Sequence, residues 1–249
     1  MISVSVTIIT LNEESNIRRC LESVRWADEI VVVDCGSSDR TLEICKEYGC
    51  RVFNHVWEGY ARQKNYAIGQ ATGDWALSLD ADEEVTPDLA KEIQSAVSGP
   101  SDAYSMPRSN LFLGKWMRHG GWYPDRQLRL VRRGMGLFAD VPLHERIVMQ
   151  EGASVGLLRN PLRHYTYPTI RNYMAKADSY TTIEAQAGNR KPSAIGLLTA
   201  FPLKFLETYV YKSGWRDGVH GLAAALLASV RVLIRQVKLW EASVERQVE

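Results

Sequence analysis

The segment DWALSLDADEEV, residues 74–85, joins an apolar run to four acidic residues within five consecutive positions. Its first half lacks helical periodicity and predicts a buried strand. Because residues two apart in an extended chain share a face, Asp80 and Asp82 should point to the same side. Carboxylates this close repel one another, so solvent or a cation must offset their charge. We expect Glu83 and Glu84 to form a solvated turn before the next helix.

Strands and helices alternate along the chain around this segment. Strands are predicted over Val4–Thr10, Glu29–Asp34, residues 51–55 and 74–79, helices over residues 12–24, 41–48, 60–71 and 87–97, short strands within 104–150, and helices from residue 170 onward. We expect Asn12 or Ser15 to cap the first helix. Alternation in units of about 25 residues is typical of parallel strands joined by crossover helices. The sequence therefore predicts an α/β fold.

Acidic residues follow three of the predicted strands. They are residues 12–14, Asp34 with Asp39, and Asp80 with Asp82. In open parallel sheets, ligands bind at the carboxyl ends of the strands, where the strand order reverses. Mg²⁺ typically takes one or two carboxylates together with substrate phosphates. A cation held at the third group would offset the repulsion there and hold a diphosphate, whereas the alternative is a solvated acidic turn.

Charge is unevenly distributed along the 249 residues, although the net charge is only +1. Residues 1–105 carry 18 acids and 9 bases, residues 106–171 carry 4 and 11, and residues 190–240 carry 2 and 8. This asymmetry predicts an anionic ligand or surface beside the later segments, unless the bases are simply solvated. The chain has no GxGxxG or Walker loop, which argues against a dinucleotide cofactor or a P-loop. We expect no nucleic-acid partner.

The cysteines and the N-terminus indicate a cytoplasmic protein. The four cysteines form no CxxC pair, and reduced thiols are typical of the cytosol. The N-terminal sequence MISVSVTIITLNEE lacks a charged region and a cleavage site, so we interpret it as a strand rather than a signal peptide.

The C-terminal region contains an apolar segment, GLAAALLASVRVLI, at residues 221–234. Its 14 residues include Arg231, so it is too short and too charged to span a membrane. With the basic residues around it, it suits an amphipathic helix on an anionic membrane surface. Packing on the catalytic domain or in a homodimer is the alternative.

Four motifs carry a family resemblance: TIITLNEE, VVVDCGSSDRT, ARQKNYAIGQATGDW and LSLDADEEV. In this order, over about residues 5–90, they resemble the GT-A glycosyltransferases of family 2. The resemblance implies a GT-A, Rossmann-like and mostly parallel sheet flanked by helices, with a C-terminal helical extension. It also implies a nucleotide-sugar donor, Mg²⁺ or Mn²⁺ as cofactor, and inversion at the anomeric carbon.

Matching the motifs assigns roles to individual residues. The resemblance implies nucleotide contacts for Thr10, Asn12 and Glu13, uridine contacts for Asp34 and Asp39, a diphosphate contact for Lys64, a ribose contact for Asp80 and a metal bond for Asp82.

Segments in the second half of the chain narrow the resemblance to one subfamily. GGWYPDRQLRLVRRG, DVPLHER and KFLETYVYKSGWRDGVHGL resemble segments of the short lipopolysaccharide-core β-1,4-glucosyltransferases. This implies transfer of a hexose, glucose, from a UDP-sugar to a lipopolysaccharide core or another lipid-linked glycan, at the inner face of the cytoplasmic membrane. The implied domains are residues 1–165, with a nucleotide-sugar half (1–100) and an acceptor half (101–165), and a helical extension over residues 166–249.

An inverting transfer needs a base that takes the proton of the acceptor hydroxyl. The acidic pair that larger family members use is absent, so two other acids are candidates. Asp125 follows GGWYP, a loop suited to stacking on a sugar ring, and is favoured over Glu145; salt bridges to nearby arginines are the alternative role for both. Arg129 is a candidate for bidentate phosphate binding. His144 is a candidate metal ligand or a structural histidine.

Two other functions fit parts of the sequence. A nucleotidyltransferase also uses paired acids, but it normally has a glycine-rich basic loop near the N-terminus, which TLNEESN is not. A catalytically inactive nucleotide-sugar-binding or membrane scaffold protein would keep the binding motifs without turnover. Hydrolysis of UDP-glucose by the purified protein separates these alternatives from a transferase.

Overall fold

The computed structural model describes residues 2–141, 145–187 and 193–248, without the side chains of residues 187 and 245–248. The chain forms two compact units. The first unit comprises Met1–Arg108 and Arg126–His164, and the second comprises Ser109–Asp125 and Tyr165–Glu249. The second unit thus combines the C-terminal helices with a segment that the sequence analysis assigned to the acceptor half.

Apart from a short strand at Glu83–Val85, where a turn was predicted, the elements up to residue 96 follow the predicted alternation. They are β1 (Val4–Thr10), α1 (Ile17–Ser23), β2 (Glu29–Asp34), α2 (Thr41–Glu47), β3 (Arg51–Asn54), α3 (Tyr60–Gln70), β4 (Trp75–Asp80), β5 (Glu83–Val85) and α4 (Pro87–Ala96).

Short strands and then helices make up the rest of the described chain. The strands are β6 (Ala103–Phe112), β7 (Lys115–Trp116), β8 (Asp125–Arg132), β9 (Gly136–Phe138), β10 (Ile147–Met149), β11 (Val155–Leu157) and β12 (Leu162–Tyr167). The helices are α5 (Ile170–Ala187), α6 (Ala194–Phe205), a π-helical segment (Leu206–Tyr211), a 3₁₀ turn (Gly214–Asp217) and α7 (Val219–Val248).

The main sheet has the order β3-β2-β1-β4-β8-β6-β12-β5, and β9 pairs with β10 in a separate two-stranded sheet. Neighbouring strands are parallel from β3 to β4, as predicted, whereas β8 joins β4 and β12 joins β5 in antiparallel fashion. The strand order reverses between β1 and β4. The α/β prediction is confirmed, and the reversal lies where such folds bind ligands.

The first four strands carry the core of the first unit. Most apolar residues of β1, β2 and β4 are buried, as expected for parallel strands covered by helices, and Ile8, Leu77 and Trp75 are among the fully buried ones. The apolar residues of the edge strand β3 are half-buried. Helix α4 begins as the sequence predicts, because the Thr86 hydroxyl accepts a hydrogen bond from Leu89 N–H and Pro87 takes the first helical position.

The first helix differs from its prediction. It spans only Ile17–Ser23, with Asn16 at the N-cap and no side-chain cap, so the helix over residues 12–24 capped by Asn12 or Ser15 is wrong. The backbone N–H groups of residues 12–14 instead donate to the side chains of Ser37, Thr41 and Asp39, in the loop after β2 and at the start of α2. These bonds hold the segment in a loop.

The second unit is mainly helical. Helices α5 and α6 both pack against α7, and its core includes Phe112, Tyr173 and Ala224. Asp217 is buried, and its carboxylate accepts hydrogen bonds from the N–H groups of Arg118 and His119. Within the described ranges, none of the helices has both the length and the apolar character needed to cross a membrane.

Candidate active site

The carboxyl ends of β1, β2 and β4 are adjacent in the sheet. Thr10 aligns with Asp34, and Ile9 aligns with Asp80. Thr10 is buried, and its hydroxyl has no hydrogen-bond partner within the described part of the chain. The fold therefore brings together the three polar strand ends that the sequence analysis singled out.

A network of backbone hydrogen bonds organises the loop after β2. Asp34 is buried, and one of its carboxylate oxygens accepts N–H bonds from Gly36 and Ser37, both 2.8 Å long. Asn12 has a φ of 54°, and its side-chain oxygen accepts the N–H of Ser38 at 2.8 Å. Asp34 thus holds the conformation of this loop, and the hydrogen bond to Asn12 connects the loop to the end of β1.

Asp39 and Glu13 both contact Thr41, the first residue of α2. The carboxylate of Asp39 accepts N–H bonds from Thr41 and Glu14, and the N–H of Glu13 donates to the Thr41 hydroxyl at 2.8 Å. Desolvation would raise the pKa of Asp39, but these hydrogen bonds outweigh it and lower the pKa below 3.8. Asp39 therefore carries a stable negative charge at this end of the sheet.

Lys64, on α3, is buried and bridges two acids. Its ammonium lies 2.9 Å from Asp80 Oδ1 and 2.7 Å from Glu145 Oε1, and 5.2 Å from the centre of the Phe138 ring. A buried lysine is normally paired in this way, because an isolated charge would be costly to desolvate. Lys64 thus contacts the acidic segment directly through Asp80 and links it to Glu145, and both Lys64 and Glu145 are residues that the sequence predicts for the site.

Arg129 and Glu83 form the inner half of the same cluster. Arg129, on β8, is buried and lies 2.7 Å from Asp80 Oδ2 and 3.0 Å from Glu83 Oε1. Glu83 is fully buried, accepts the N–H of Asp80 at 2.9 Å, and also pairs with Arg108 at 3.2 Å. The cluster fixes both the side chain and the backbone of Asp80.

The solvated turn expected for Glu83 and Glu84 is wrong for Glu83. The two residues lie in β5, which pairs with β12, and this strand turns Glu83 inward toward two arginines. Glu84 is half-buried and pairs with Arg163 at 3.2 Å. The structure thus separates two adjacent acids into a buried and a partly exposed one.

Cations on neighbouring elements offset the repulsion between carboxylates that the sequence predicts at Asp80. Burial would raise the pKa of Asp80, but Arg129 and Lys64 outweigh burial and hold the pKa well below 3.8. Burial likewise would lower the pKa of Arg129, whereas Asp80 and Glu83 raise it above its ordinary value. Asp80 is therefore charged without the help of a metal.

Replacing Glu83 with Ala should lower the free energy of unfolding by about 3–5 kcal/mol, because the two arginines would lose a buried carboxylate. Urea denaturation measures this. Glu84→Ala is the matched control: its partner Arg163 is largely exposed, so the loss should be about 1 kcal/mol or less. Equal losses in the two variants would contradict the assignment of Glu83 as the positioning residue.

Asp82 lies beside a histidine that sequence reasoning missed. Its Oδ2 is 3.3 Å from Nε2 of His164, a buried residue of β12 whose register partner is Glu83. His144, the histidine that the sequence analysis proposed as a metal ligand, lies outside the described residues. The only sequence signal for His164 is its place in the alternating strand LRHYTY.

Asp82 and His164 fit a divalent cation as a pair of protein ligands. A carboxylate oxygen and an imidazole nitrogen are both suitable donors, and Mg²⁺ usually needs few protein ligands because phosphates and water complete its shell. Within the described ranges, no cluster of three or more histidines, cysteines or acids would hold a metal by itself.

Asp125, the favoured base candidate, belongs to the second unit. It is half-buried, and its Oδ2 accepts a hydrogen bond of 3.3 Å from the side-chain amide of Asn110, which also donates to Trp122 O at 3.0 Å. The peptide bond between Tyr123 and Pro124 is cis, and the Tyr123 ring is exposed. An exposed aromatic ring thus stands two residues from the carboxylate in the chain.

A family model described as glycosyl transferase family 2 matches residues 5–153, more than half of the chain. The chain belongs to glycosyltransferase family 2. The matched region contains every residue of the Asp80 cluster from Lys64 to Glu145. The protein is therefore an enzyme, a glycosyltransferase, as the four motifs predict.

Relatives match over nearly the whole length of this family 2 glycosyltransferase. The lipopolysaccharide core biosynthesis glycosyltransferase LpsC of Rhizobium meliloti is 28% identical over 249 residues, covering 95% of this chain and 92% of LpsC. An uncharacterised glycosyltransferase of Rickettsia typhi is 28% identical over 260 residues, covering 98% of this chain and 89% of the relative.

A solved structure supports the GT-A fold. Glucosyl-3-phosphoglycerate synthase from Mycobacterium tuberculosis, crystallised with Mn²⁺, UDP and glucosyl-3-phosphoglycerate, superposes with a TM-score of 0.51 at 14% identity. The match covers 74% of this chain and 79% of the synthase. The predicted GT-A architecture, with a mixed sheet flanked by helices and a helical C-terminus, is confirmed.

Proposed function

We propose that this glycosyltransferase moves glucose from UDP-glucose to a lipopolysaccharide core or related lipid-linked glycan, with inversion at the anomeric carbon. The observation that carries the proposal is the charged cluster at the carboxyl end of β4. There, Asp80 is held by Lys64 and Arg129, and Asp82 stands beside His164. Such a site offers both cations for a diphosphate and acids for a metal or ribose.

The donor would bind along the three strand ends. Asn12, Glu13 and the loop between Asp34 and Asp39 would surround the uridine. Asp34 would act through the shape of the loop, because one of its oxygens accepts two loop N–H groups and the other accepts the Ser37 hydroxyl. Thr10 would line the floor of this site.

The diphosphate would lie over the Asp80 cluster. Lys64 and Arg129 both contact Asp80 at the end of β4, and the Nε–H of Arg129 has no hydrogen-bond partner within the described residues. Asp80 would then be shared between these cations and the ribose hydroxyls. Fixed donors of this kind stabilise the negative charge that develops on a departing nucleotide diphosphate.

Asp82 and His164 would hold Mg²⁺ or Mn²⁺. When bound, the cation would neutralise negative charge on the leaving diphosphate. The residues of the chain would orient the phosphates around it, with Glu83 fixing the backbone of the acidic segment through the Asp80 N–H. The crystallised mycobacterial synthase, which holds Mn²⁺ and UDP, supports this choice of cofactor by analogy of fold alone.

Asp125 is the residue we assign as base, with Glu145 as the alternative. Glu145 already contacts the Lys64 ammonium at 2.7 Å, which commits one of its oxygens to an ion pair. Asp125 accepts a hydrogen bond of 3.3 Å from the side-chain amide of Asn110, which orients its carboxylate directly after the GGWYP segment. Tyr123 would stack on a sugar of the acceptor.

The acceptor assignment rests on the match to LpsC, a lipopolysaccharide core biosynthesis glycosyltransferase, over nearly the full length of both chains. We therefore place this enzyme at the inner face of the cytoplasmic membrane, as the resemblance to the lipopolysaccharide-core enzymes implies. The exposed apolar residues of the second unit are compatible with that location.

A panel of nucleotide sugars tests the proposal. With Mn²⁺ and no acceptor, the purified protein should hydrolyse UDP-glucose slowly and faster than GDP- or CDP-hexoses, because water replaces the acceptor hydroxyl. Added lipopolysaccharide with a truncated core should then receive labelled glucose. Binding of UDP-glucose without any turnover would favour the inactive scaffold, and turnover of another sugar nucleotide alone would refute the glucose assignment.

A further inference from the structure

Helix α6 exposes an apolar face. Its sequence, AIGLLTAFPLKF, contains only two polar side chains, yet none of its residues is buried. Ile195, Leu198, Pro202, Leu206 and Val210 are exposed and recur at steps of three or four residues through the π-helical segment. This spacing places them on one helix face, and we call these five residues the apolar stripe.

Large exposed side chains follow the stripe in the chain. Tyr211 is 87% exposed, Trp215 is 57% exposed and Val219 is 80% exposed. Tyrosine and tryptophan combine an apolar ring with a polar group, which favours the boundary between lipid and water. Solvent-exposed apolar residues are ordinary when scattered, but a continuous row of them marks an interaction site.

Cations rather than acids border the stripe. Lys204 and Lys212 both pair with the single acid Glu207, and Arg216 is exposed. The other acid of this region, Asp217, is buried and accepts backbone N–H groups. The rim of the stripe therefore presents a net positive charge, which complements anionic lipid headgroups.

The stripe is not the segment that the sequence indicated. Residues 221–234 lie within α7, where Ala224, Ala225 and Ser229 are buried in the second unit. Helix α6 spans about 18 Å, which is much shorter than the hydrocarbon core of a bilayer, so it would lie in the plane of the interface.

We propose that the apolar stripe, with Tyr211 and Trp215, docks this protein onto an anionic membrane surface. A bilayer accommodates an apolar face with a basic rim, whereas a symmetric pairing of two copies would bring two basic rims together. This proposal is independent of the sugar donor and acceptor assigned above.

Vesicle flotation tests the docking surface. Vesicles of phosphatidylcholine and phosphatidylglycerol in equal parts should carry the full chain to the top of a gradient, and phosphatidylcholine alone should carry much less. The triple variant Leu198→Gln, Leu206→Gln and Val210→Gln should partition at least about tenfold more weakly, because three large apolar side chains of the stripe no longer leave water. Its UDP binding should stay unchanged, which separates docking from the donor site.

A matched triple variant controls for the change in exposed apolar surface. Leu137, Val148 and Leu157 are similarly exposed on the first unit, and their replacement by Gln should leave flotation unaltered. In a second measurement, brominated lipids should quench the fluorescence of Trp215, and Trp215→Phe should remove that quenching. Thermal unfolding followed by circular dichroism checks that all variants are folded.

Three results would overturn the proposal. The wild-type protein could remain at the bottom of the gradient, or the stripe variant could float as well as its control. Sedimentation velocity without vesicles gives the third: a wild-type dimer that the stripe variant converts to a monomer would show that a second copy covers the stripe.

Discussion

Replacing Asp125 with Asn should lower the rate of sugar transfer by about 10²–10⁴-fold while leaving UDP affinity unchanged. An amide of the same size cannot take the proton of the acceptor hydroxyl, but it can keep the contact with Asn110. Transfer kinetics and calorimetric titration with UDP measure the two effects separately. The residual rate should also lose the acidic limb of its pH profile, since that limb reports protonation of the base.

Glu145→Gln is the variant that distinguishes the two candidate bases. Glu145 pairs with Lys64, so its replacement should disturb the diphosphate site and weaken UDP binding together with transfer. The assignment of Asp125 would fail if Asp125→Asn transferred sugar normally while Glu145→Gln bound UDP normally and lost transfer.

Replacing Asp82 with Asn should reduce the Mn²⁺-dependent part of UDP affinity by at least tenfold, about 1.4 kcal/mol. The amide is a weaker ligand for a hard cation than the carboxylate, and only His164 would remain of the proposed pair. Titration with UDP in the presence of Mn²⁺ and of a chelator measures this difference. His164→Gln should likewise reduce the Mn²⁺-dependent part of UDP affinity.

Glu84→Gln provides the control for the Asp82 prediction. It removes one negative charge from the same segment, but Glu84 faces Arg163 rather than His164. Its Mn²⁺-dependent UDP affinity should match that of the wild type. Equal losses in Asp82→Asn and Glu84→Gln would show that overall charge, and not a specific metal bond, governs binding.

Periodicity and motifs were sufficient to predict the sheet and the strand ends. The β-branched runs of β1 and β2 have no helical period, and a predicted helix follows each of them, so their parallel pairing was predictable. The start of α4 at Thr86 and Pro87 was also predictable from neighbouring residues. Such features depend on residues close together in sequence.

The interior of the candidate site was less predictable, because it depends on long-range register. Glu83 reaches Arg129 across 46 residues and Asp82 reaches His164 across 82, so no local pattern identifies either partner. From the sequence alone, the repulsion at Asp80 therefore predicts a bound cation, whereas in the structure Lys64 and Arg129 supply positive charge there. Glu83 likewise looks like a surface residue in the sequence, because the strand that buries it, β5, has only three residues.

Crystals grown with UDP and Mn²⁺ test the central claim most directly. Anomalous scattering from manganese should give one peak in contact with Asp82 and His164, with the diphosphate beside Lys64 and Arg129. A nucleotide bound elsewhere, or a diphosphate held at this place with no manganese beside Asp82, would contradict the account.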